Sequence, residues 1–332
     1  MTRRTPQRSS PAVGTGAAPY LLLLVTIFFW GTAFRATDIG AEHATAVAYS
    51  ALRALPAAAA LVLLALLLRS RLPRGRTFWY AVGSGPLMVT LAFEGIAEGV
   101  TLAGAANAAV LINTTPFFTL LLGRLFLGER VGRAAAGGLI IGFVGVVLMV
   151  SSQLGGDVPR GDLLLGMGLA LVAAAGFAVG TLLIKAAATR DGEDFDVMGF
   201  TTVQYLVGAG LLLALAFLYG DPASTDWGSG DLWASVAWTA LGSSAIASLA
   251  FAGALRSIPA ARASAWQFLA PVVAVIVELI FGEAPDATVL LGMALAITGV
   301  ALVSILPVTH TDDPLPADGS PAPRRSVHVA EP

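Results

Sequence analysis

The sequence predicts an all-α integral membrane protein with ten transmembrane helices, arranged as two five-helix repeats of inverted topology. Three observations lead to this prediction: an apolar composition, apolar segments of membrane-spanning length, and a sequence pattern that occurs twice. Of the 332 residues, 56% are hydrophobic and only 12% are charged, which is about half the charged fraction of an average soluble domain. The composition therefore favours a chain that lies mostly inside a lipid bilayer.

A helix needs about 20 apolar residues to cross ~30 Å of hydrocarbon. Ten segments of the chain meet this requirement. In order, they span residues 19–38, 44–68, 77–98, 103–127, 134–151, 163–185, 197–219, 232–254, 263–281 and 287–306. Residues 1–18 and 307–332 are instead rich in Pro, Ser, Asp and Ala, so we expect disordered tails there because they contain little apolar surface to bury.

The distribution of basic residues predicts the orientation, since short cytoplasmic loops of membrane proteins are enriched in Lys and Arg. With the N-terminus inside, the inner loops and tails receive most of the basic residues: Arg3, Arg4, Arg8, Arg69, Arg71, Arg74, Arg76, Arg130, Arg133, Lys185, Arg190, Arg256, Arg262, Arg324 and Arg325. The outer loops "TDIGAEHA", "GGDVPRGD", "GDPASTDWGSGD" and "GEAPDAT" are acidic. We expect a multi-pass protein of the cell membrane with both termini in the cytoplasm.

The repeat is visible in two stretches that share a proline, an apolar run and a Gly-Glu pair. "PFFTLLLGRLFLGE" ends at Glu129, and "PVVAVIVELIFGE" ends at Glu283. Aligning the two glutamates also aligns two pairs of glycines, Gly138 with Gly292 and Gly145 with Gly299. Each copy contains an odd number of spans, so the second copy must be inverted in the membrane. We expect repeats over residues 19–151 and 163–306, joined by an extracytoplasmic linker over residues 152–162.

Several short motifs resemble one known family when they are taken together and in order. They are "FFWGTAF" in the first helix, "YSALRALPAAA" with Arg53 in the second, the two Pro-to-Gly-Glu stretches, and the glycine-spaced "GGLIIGFVGVVLMVS" and "GMALAITGVALVS". Over residues 19–306 the chain resembles the EamA-like branch of the drug/metabolite transporter superfamily. The resemblance implies ten helices in two EamA repeats and the export of amino acids, small metabolites or drugs. The chain departs from the family pattern at Gln204, about where an arginine would match Arg53, and at Glu94 and Glu98, where apolar or aromatic residues are usual.

Inverted repeats favour a secondary transporter, because two such halves can expose a central site to one side and then to the other. Export is the favoured direction. A channel-like facilitator and a membrane-embedded protein without transport activity are the alternatives. No G-x-x-x-x-G-K-[ST] loop occurs, so ATP is not expected to drive transport directly.

Catalysis is not expected, because the spans contain no paired aspartates, no His/Glu metal set and no serine with a base. The three histidines, His43, His310 and His328, fall in a loop and in the C-terminal tail. With no cysteine in the chain, thiolate metal sites are excluded. We expect no cofactor, no metal and no nucleic-acid partner. The expected partners are a small-molecule substrate, the lipid bilayer and, as a candidate coupling ion, the proton; the oligomeric state is left open.

Five residues are candidates for the substrate path: Trp30, Arg53, Asn113, Trp266 and Gln267. Asn113, Trp266 and Gln267 lie in the two helices that carry the repeated stretches and offer hydrogen bonds beside an apolar wall. Asn113 lies near the membrane midplane. Arg53 lies about a third of the way in from the outside, where it either binds a substrate carboxylate or pairs with a glutamate of the third helix.

Glu94 and Glu98 are candidates for proton coupling. They lie four residues apart on one face of the third helix, and an acidic side chain within a membrane is a functional candidate by default. The alternative is that both carboxyl groups reach the outer interface.

Pro116 and Pro271 are candidate hinges, because each lacks an N–H and frees a carbonyl one turn earlier, that of Ile112 or Gln267. The alternative is a packing kink. Glu129 and Glu283 are expected to be structural, since a carboxylate just before the next helix complements the partial positive charge of its N-terminus. A gate contact is the alternative for these two glutamates.

Overall fold

The computed structural model describes residues 17–151, 154, 159–282, 284–305 and 308–310. Within these residues, nine helical segments are long and apolar enough to span a membrane, and Arg133–Met149 is a shorter apolar helix. The ten helices are α1 Ala18–Ala41, α2 Ala46–Leu67, α3 Gly75–Ala103, α4 with its two pieces Ala105–Ile112 and Thr115–Phe126, α5 Arg133–Met149, α6 Arg160–Asp191, α7 Val197–Tyr219, α8 Gly230–Ala254, α9 Ala260–Ile280 and α10 Ala287–Ile305. This arrangement confirms the predicted all-α membrane fold.

One short pair of strands was not predicted. β1 (Glu129–Val131), between α4 and α5, pairs in antiparallel register with β2 (Val308–His310), which follows α10. The pairing ties the segment after the last helix to the loop that follows α4.

Two helices extend by several residues beyond the apolar segments that predicted them. α3 runs from Gly75 to Ala103, and α6 starts at Arg160, inside the predicted linker, and continues past Lys185 to Asp191. Each ends at a glycine of positive φ, Gly104 at 86° and Gly192 at 57°, a conformation that stops a helix. Hydropathy marks the width of the hydrocarbon layer, whereas these glycines set where the helices end. Residues 152, 153 and 155–158 of the predicted linker, and the tails before residue 17 and after residue 310, lie outside the described residues.

Four helices depart from regular α geometry near their middles. Wider π-helical turns occur over Pro86–Leu91 in α3 and over Trp238–Ile246 in α8. A tighter 3-10 segment covers Trp266–Leu269 in α9, and α4 is broken at Asn113 and Thr114. Such irregular turns change which side chains face a neighbouring helix, and they are frequent at functional sites.

The last helices of the two repeats, α5 and α10, pack directly against each other through their glycines. A Cβ atom built on Gly145 would lie 2.5 Å from the carbonyl oxygen of Gly292, and one on Gly138 would lie 2.9 Å from that of Gly299. The order of contacts is reversed along the two helices, so they run antiparallel. Small residues permit this close approach, which is a common mode of helix packing in membranes.

The two ends of the bundle differ in charge. We call the end that carries Arg69, Arg71, Arg74, Arg190 and Arg256 the basic end. Four acidic residues also lie there, Asp191, Glu193, Asp194 and Asp196, and Asp196 accepts a 2.7 Å hydrogen bond from the backbone N–H of Arg71. The opposite, acidic end carries the loops before α2 and before α8, which meet where His43 lies 3.6 Å from Asp226.

Candidate functional site

A small cavity of about 30 Å³ lies between α1, α3, α6, α7 and α8, which is room for about one or two water molecules. Its wall is mainly apolar, and five of its eleven lining residues are aromatic: Trp30, Phe93, Phe177, Tyr205 and Phe251. Gln204, Ser243 and Ser248 add polar groups to this wall. Both repeats therefore contribute helices to one central cavity.

The π-helical turn of α8 supplies the polar side of this cavity. It places Ser243 and Ser244 next to α2, where Ser243 Oγ accepts a 2.7 Å hydrogen bond from Arg53 Nη2. The Ser243 carbonyl oxygen also accepts a hydrogen bond from Trp30 Nε1 at 3.2 Å. Tyr205 of α7 donates to the Ser244 carbonyl oxygen at 2.9 Å. The turn thus joins α1, α2 and α7 through its backbone and its hydroxyl groups.

Arg53 is half-buried in α2 beside this cavity. Its guanidinium carbon lies 4.1 Å from the centre of the Phe93 ring, a favourable cation–π position. Within the part of the chain that the structure describes, no carboxylate oxygen lies within 4.0 Å of the guanidinium. Arg53 is therefore not paired with Glu94 or Glu98, one of the two arrangements considered from the sequence.

Trp30 is the predicted path residue that directly lines the cavity. Its ring packs against Phe177 of α6 and Phe251 of α8, with centroid separations of 5.6 Å and 5.3 Å. Since its indole N–H is already bonded to the Ser243 carbonyl oxygen, Trp30 presents mainly an apolar face to the cavity.

Three other path candidates lie in α4 and α9, outside the wall described above. Asn113 is buried at the break in α4, and its amide nitrogen donates to the Ala109 carbonyl oxygen of its own helix at 2.8 Å. Trp266 donates to Ser304 of α10 at 3.0 Å. The Gln267 amide nitrogen is buried and has no hydrogen-bond partner among the described residues. The polar side-chain groups of Asn113 and Trp266 are thus hydrogen-bonded within the protein, whereas the amide N–H donors of Gln267 have no acceptor among the described residues.

The two prolines lie at equivalent places, each at the start of the second piece of its helix. Pro116 is the second residue of the piece of α4 that follows the break, and Pro271 is the second residue of the α-helical piece that follows the 3-10 segment of α9. Both carbonyl groups that they free are satisfied: Ile112 accepts from the Thr115 hydroxyl at 2.7 Å, and Gln267 accepts from the Ala270 N–H.

Glu129 is fully buried and reaches across to the other repeat. Its two carboxylate oxygens accept hydrogen bonds from the backbone N–H groups of Ala260, at 2.9 Å, and Ala261, at 3.3 Å. These are the first N–H groups of α9. The carboxylate therefore faces the N-terminus of α9 and not that of α5, the next helix in sequence. Glu283 lies outside the described residues.

Lys185 adds a positive charge to the same region. Its ammonium group is buried in α6 and donates to the Leu255 carbonyl oxygen, just after α8, at 2.9 Å. Lys185 was expected among the basic residues of the inner loops, whereas it lies in the interior of the basic end.

The two glutamates of α3 lie on the acidic-end side of the cavity and are both half-buried. The Glu94 carboxyl faces the Ser50 hydroxyl of α2, and its Oε2 atom is buried without a hydrogen-bond partner among the described residues. A carboxylate oxygen that is buried without a partner is costly. A glutamate whose carboxyl reached the interface would avoid this cost by contact with water, so burial of Oε2 argues against that alternative for Glu94.

Comparisons with known proteins give the family. The model of the EamA-like transporter family matches residues 17–151 and 164–305. The chain belongs to this family. The resemblance inferred from its motifs is confirmed, and the chain is a multi-pass membrane transporter.

Relatives of this EamA-like transporter come from distant organisms. A chloroplastic WAT1-related protein of Arabidopsis thaliana is 26% identical over 308 residues, covering 90% of this chain and 72% of that protein. A protein of Streptantibioticus cattleyicolor, named as a probable terminal-alkyne amino-acid exporter, is 27% identical over 291 residues. The match covers 85% of this chain and 92% of that exporter. One solved crystal structure shares the fold with a TM-score of 0.74 and 18% identity, covering 87% of this chain and 99% of that one.

Most of the polar groups at or beside the cavity of this EamA-like chain were not among the predicted site residues. Ser243, Ser244 and Tyr205 were not predicted, although "GSSAIAS" in α8 is an unusually polar run for a membrane span. That run was the available signal, because hydroxyl groups within a membrane helix need partners.

Proposed function

We propose that this EamA-like transporter is a secondary transporter that exports a small organic substrate by alternating access, with its basic end in the cytoplasm. The observation that carries the proposal is a small central cavity lined by helices of both repeats, α1 and α3 from the first and α6, α7 and α8 from the second, which would widen to admit a substrate. Alternating access requires such a site between two halves that can move relative to each other. The relative named as an amino-acid exporter supports export, and the substrate classes considered are amino acids, small metabolites and drug-like compounds.

Contacts at the basic end support a cavity that is closed on that side. Glu129 of the first repeat bonds the start of α9 in the second. Closer to the centre, Ser264 of α9 donates to the Thr119 hydroxyl of α4 at 3.1 Å. Opening toward the cytoplasm would have to separate these groups, so we infer that they form the inner gate.

Counterflow in reconstituted vesicles tests this proposal. Vesicles containing the purified protein would be preloaded with one unlabelled compound from a panel of amino acids, organic acids and organic amines, and then given the same labelled compound outside. For a carrier we expect saturable uptake of the labelled compound that transiently exceeds its equilibrium level, because each binding site that carries unlabelled compound out can bring labelled compound in. Protein-free vesicles are the control. Flux that rises linearly with concentration and shows no counterflow would indicate a channel, and no flux for any compound would contradict transport of these classes.

The same vesicles test coupling to protons. We propose that the proton is the coupling ion and that Glu94 carries it, because its carboxyl lies beside the cavity with one buried oxygen unpartnered. Counterflow without a proton gradient, together with accumulation when a gradient is imposed, supports a coupled carrier. Accumulation that does not change with the gradient would exclude protons as the coupling ion.

A further inference from the structure

Arg53 places a positive charge inside the bundle, and no carboxylate oxygen of the described residues lies within 4.0 Å of it. A charged side chain within a membrane is costly and normally has a partner. Among the described residues, the polar groups that Arg53 bonds are the neutral hydroxyls of Ser243 and Ser244, and its flat face rests on Phe93. The nearest acidic residue along α3 beyond Phe93 is Glu94, whose carboxyl faces Ser50 instead. The charge is therefore held in place but not neutralised.

Some hydrogen-bond donors of the Arg53 guanidinium have no acceptor among the described residues. The guanidinium has five N–H donors, and the bonds to Ser243 and Ser244 use only Nε and Nη2. Nη1 makes no hydrogen bond to the part of the chain that the structure describes. A planar guanidinium with unused donors on one side matches the two oxygens of a carboxylate.

The surroundings of Arg53 indicate what the rest of such a ligand would look like. Two residues that contact the guanidinium, Ser243 and Phe93, also line the central cavity. Beyond them the wall is aromatic, formed by Trp30, Phe177 and Phe251. The cavity of about 30 Å³ is too small for such a ligand in this conformation, so a ligand with its carboxylate at Arg53 would place an apolar or aromatic body against this wall only once the cavity widens.

We propose that Arg53 is the anchor for the carboxylate of the transported substrate, and that the substrate is an organic acid with an apolar body. This inference rests on the proposed transport function and names the substrate class of its site. Ser243 orients the guanidinium and contributes its own hydroxyl to the site. The Phe93 ring packs against the guanidinium, whose central carbon lies 4.1 Å from the ring centre.

Paired acids and amides test the proposal on the full-length protein in nanodiscs. The probes are acetate, phenylacetate and indole-3-acetate, each compared with its neutral amide by calorimetric titration. We expect at least one aromatic acid to bind about tenfold or more tightly than its amide, because the amide cannot form the charged hydrogen bonds. If no acid binds more tightly than its amide, the carboxylate site is wrong. This comparison needs no variant, so it does not depend on a mutant folding.

Variants then assign the preference to Arg53. In Arg53→Gln the preference for the acid should fall to about equal binding of acid and amide, while Arg53→Lys should retain part of it because it keeps the charge. Arg35→Gln is the matched control, since Arg35 is an exposed arginine of α1 with a cation–π contact to Phe281 at 5.8 Å. It should bind as the wild type does. An Arg53→Gln protein that folds and keeps the full preference for the acid would overturn the assignment.

Failure of the carboxylate site can be distinguished from failure of the transport proposal. A wild-type protein that shows counterflow of amines or amides but no preference for acids would overturn the carboxylate site and leave the carrier intact. A protein that binds acids through Arg53 but shows no counterflow would overturn the carrier and leave the site intact.

Discussion

Gly145 of α5 and Gly292 of α10 face each other so closely that a Cβ atom on Gly145 would lie 2.5 Å from the carbonyl oxygen of Gly292. The reverse distance, from a Cβ on Gly292 to the oxygen of Gly145, is 2.6 Å. The sequence aligns Gly145 with Gly299 and Gly138 with Gly292, and each of these glycines meets one from the other helix. The equivalent glycines of the two repeats therefore form one antiparallel contact, in which Gly145 meets Gly292 and Gly138 meets Gly299.

This contact predicts that Gly145→Ala destabilises the protein. A methyl group at that position must push α5 and α10 apart, and overpacking of this kind costs roughly 1–3 kcal/mol. Gly137→Ala on the same helix is the control, because a Cβ there has no atom within 4 Å; that variant should be neutral or more stable by about 0.5–1 kcal/mol. Thermal unfolding of both purified variants measures the difference. Equal midpoints would show that the two helices can separate without cost.

A second prediction concerns proton coupling at Glu94. Glu94→Gln should preserve substrate exchange but abolish the response to an imposed pH gradient, because the amide cannot take up or release a proton. Glu98→Gln provides a comparison with the carboxyl one turn later on α3. Transport in vesicles with and without a pH gradient is the measurement. An unchanged gradient response in Glu94→Gln would remove Glu94 from the mechanism, and a loss in Glu98→Gln alone would transfer the role to Glu98.

A third prediction concerns orientation, and the absence of cysteine from the chain makes it simple to test. Ser224→Cys, in the exposed loop before α8, should react with a membrane-impermeant maleimide on intact cells. Pro73→Cys, in the loop before α3, should react only after lysis. Mass-tag shifts on a gel report both reactions. The opposite pattern would place the basic end outside the cell.

The spans and the repeats could be predicted from the sequence, because both depend on local features. Apolar length identified the helices, and the aligned glycines identified the repeat. The polar wall of the cavity could not be predicted in the same way. Ser243 faces Arg53 through a π-helical turn in α8, and the position of such a turn depends on the helices packed around it. The hydrogen-bond partner of Glu129 could not be predicted either, since Ala260 lies 131 residues away in sequence.

A fourth prediction separates two roles for Asn113. Its amide bonds the Ala109 carbonyl oxygen at the end of the first piece of α4, so we expect Asn113→Ala to lower stability by about 1 kcal/mol and to leave apparent substrate affinity unchanged. Thermal unfolding and concentration-dependent counterflow measure these two quantities. Weaker affinity or altered substrate preference with intact stability would instead place Asn113 on the substrate path.

The last prediction concerns Glu129 as part of the inner gate. Its carboxylate stabilises the N-terminus of α9, and a charged acceptor at a helix N-terminus contributes about 1 kcal/mol. Because the bond links the two repeats, removing the charge should favour the conformation open at the basic end. A loss of this size shifts a two-state equilibrium about fivefold.

A cysteine within the gate reports that shift. Ser264→Cys places a thiol in α9 where Ser264 is fully buried against Thr119. Adding Glu129→Gln should raise its rate of reaction with a maleimide about fivefold in purified protein, since the thiol is reached only when the basic end opens. Glu193→Gln is the matched control, because Glu193 is an exposed glutamate at the same end. An unchanged rate in Glu129→Gln, with reduced thermal stability, would make Glu129 a helix cap without a gating role. An equal increase in the Glu193→Gln control would attribute the effect to surface charge.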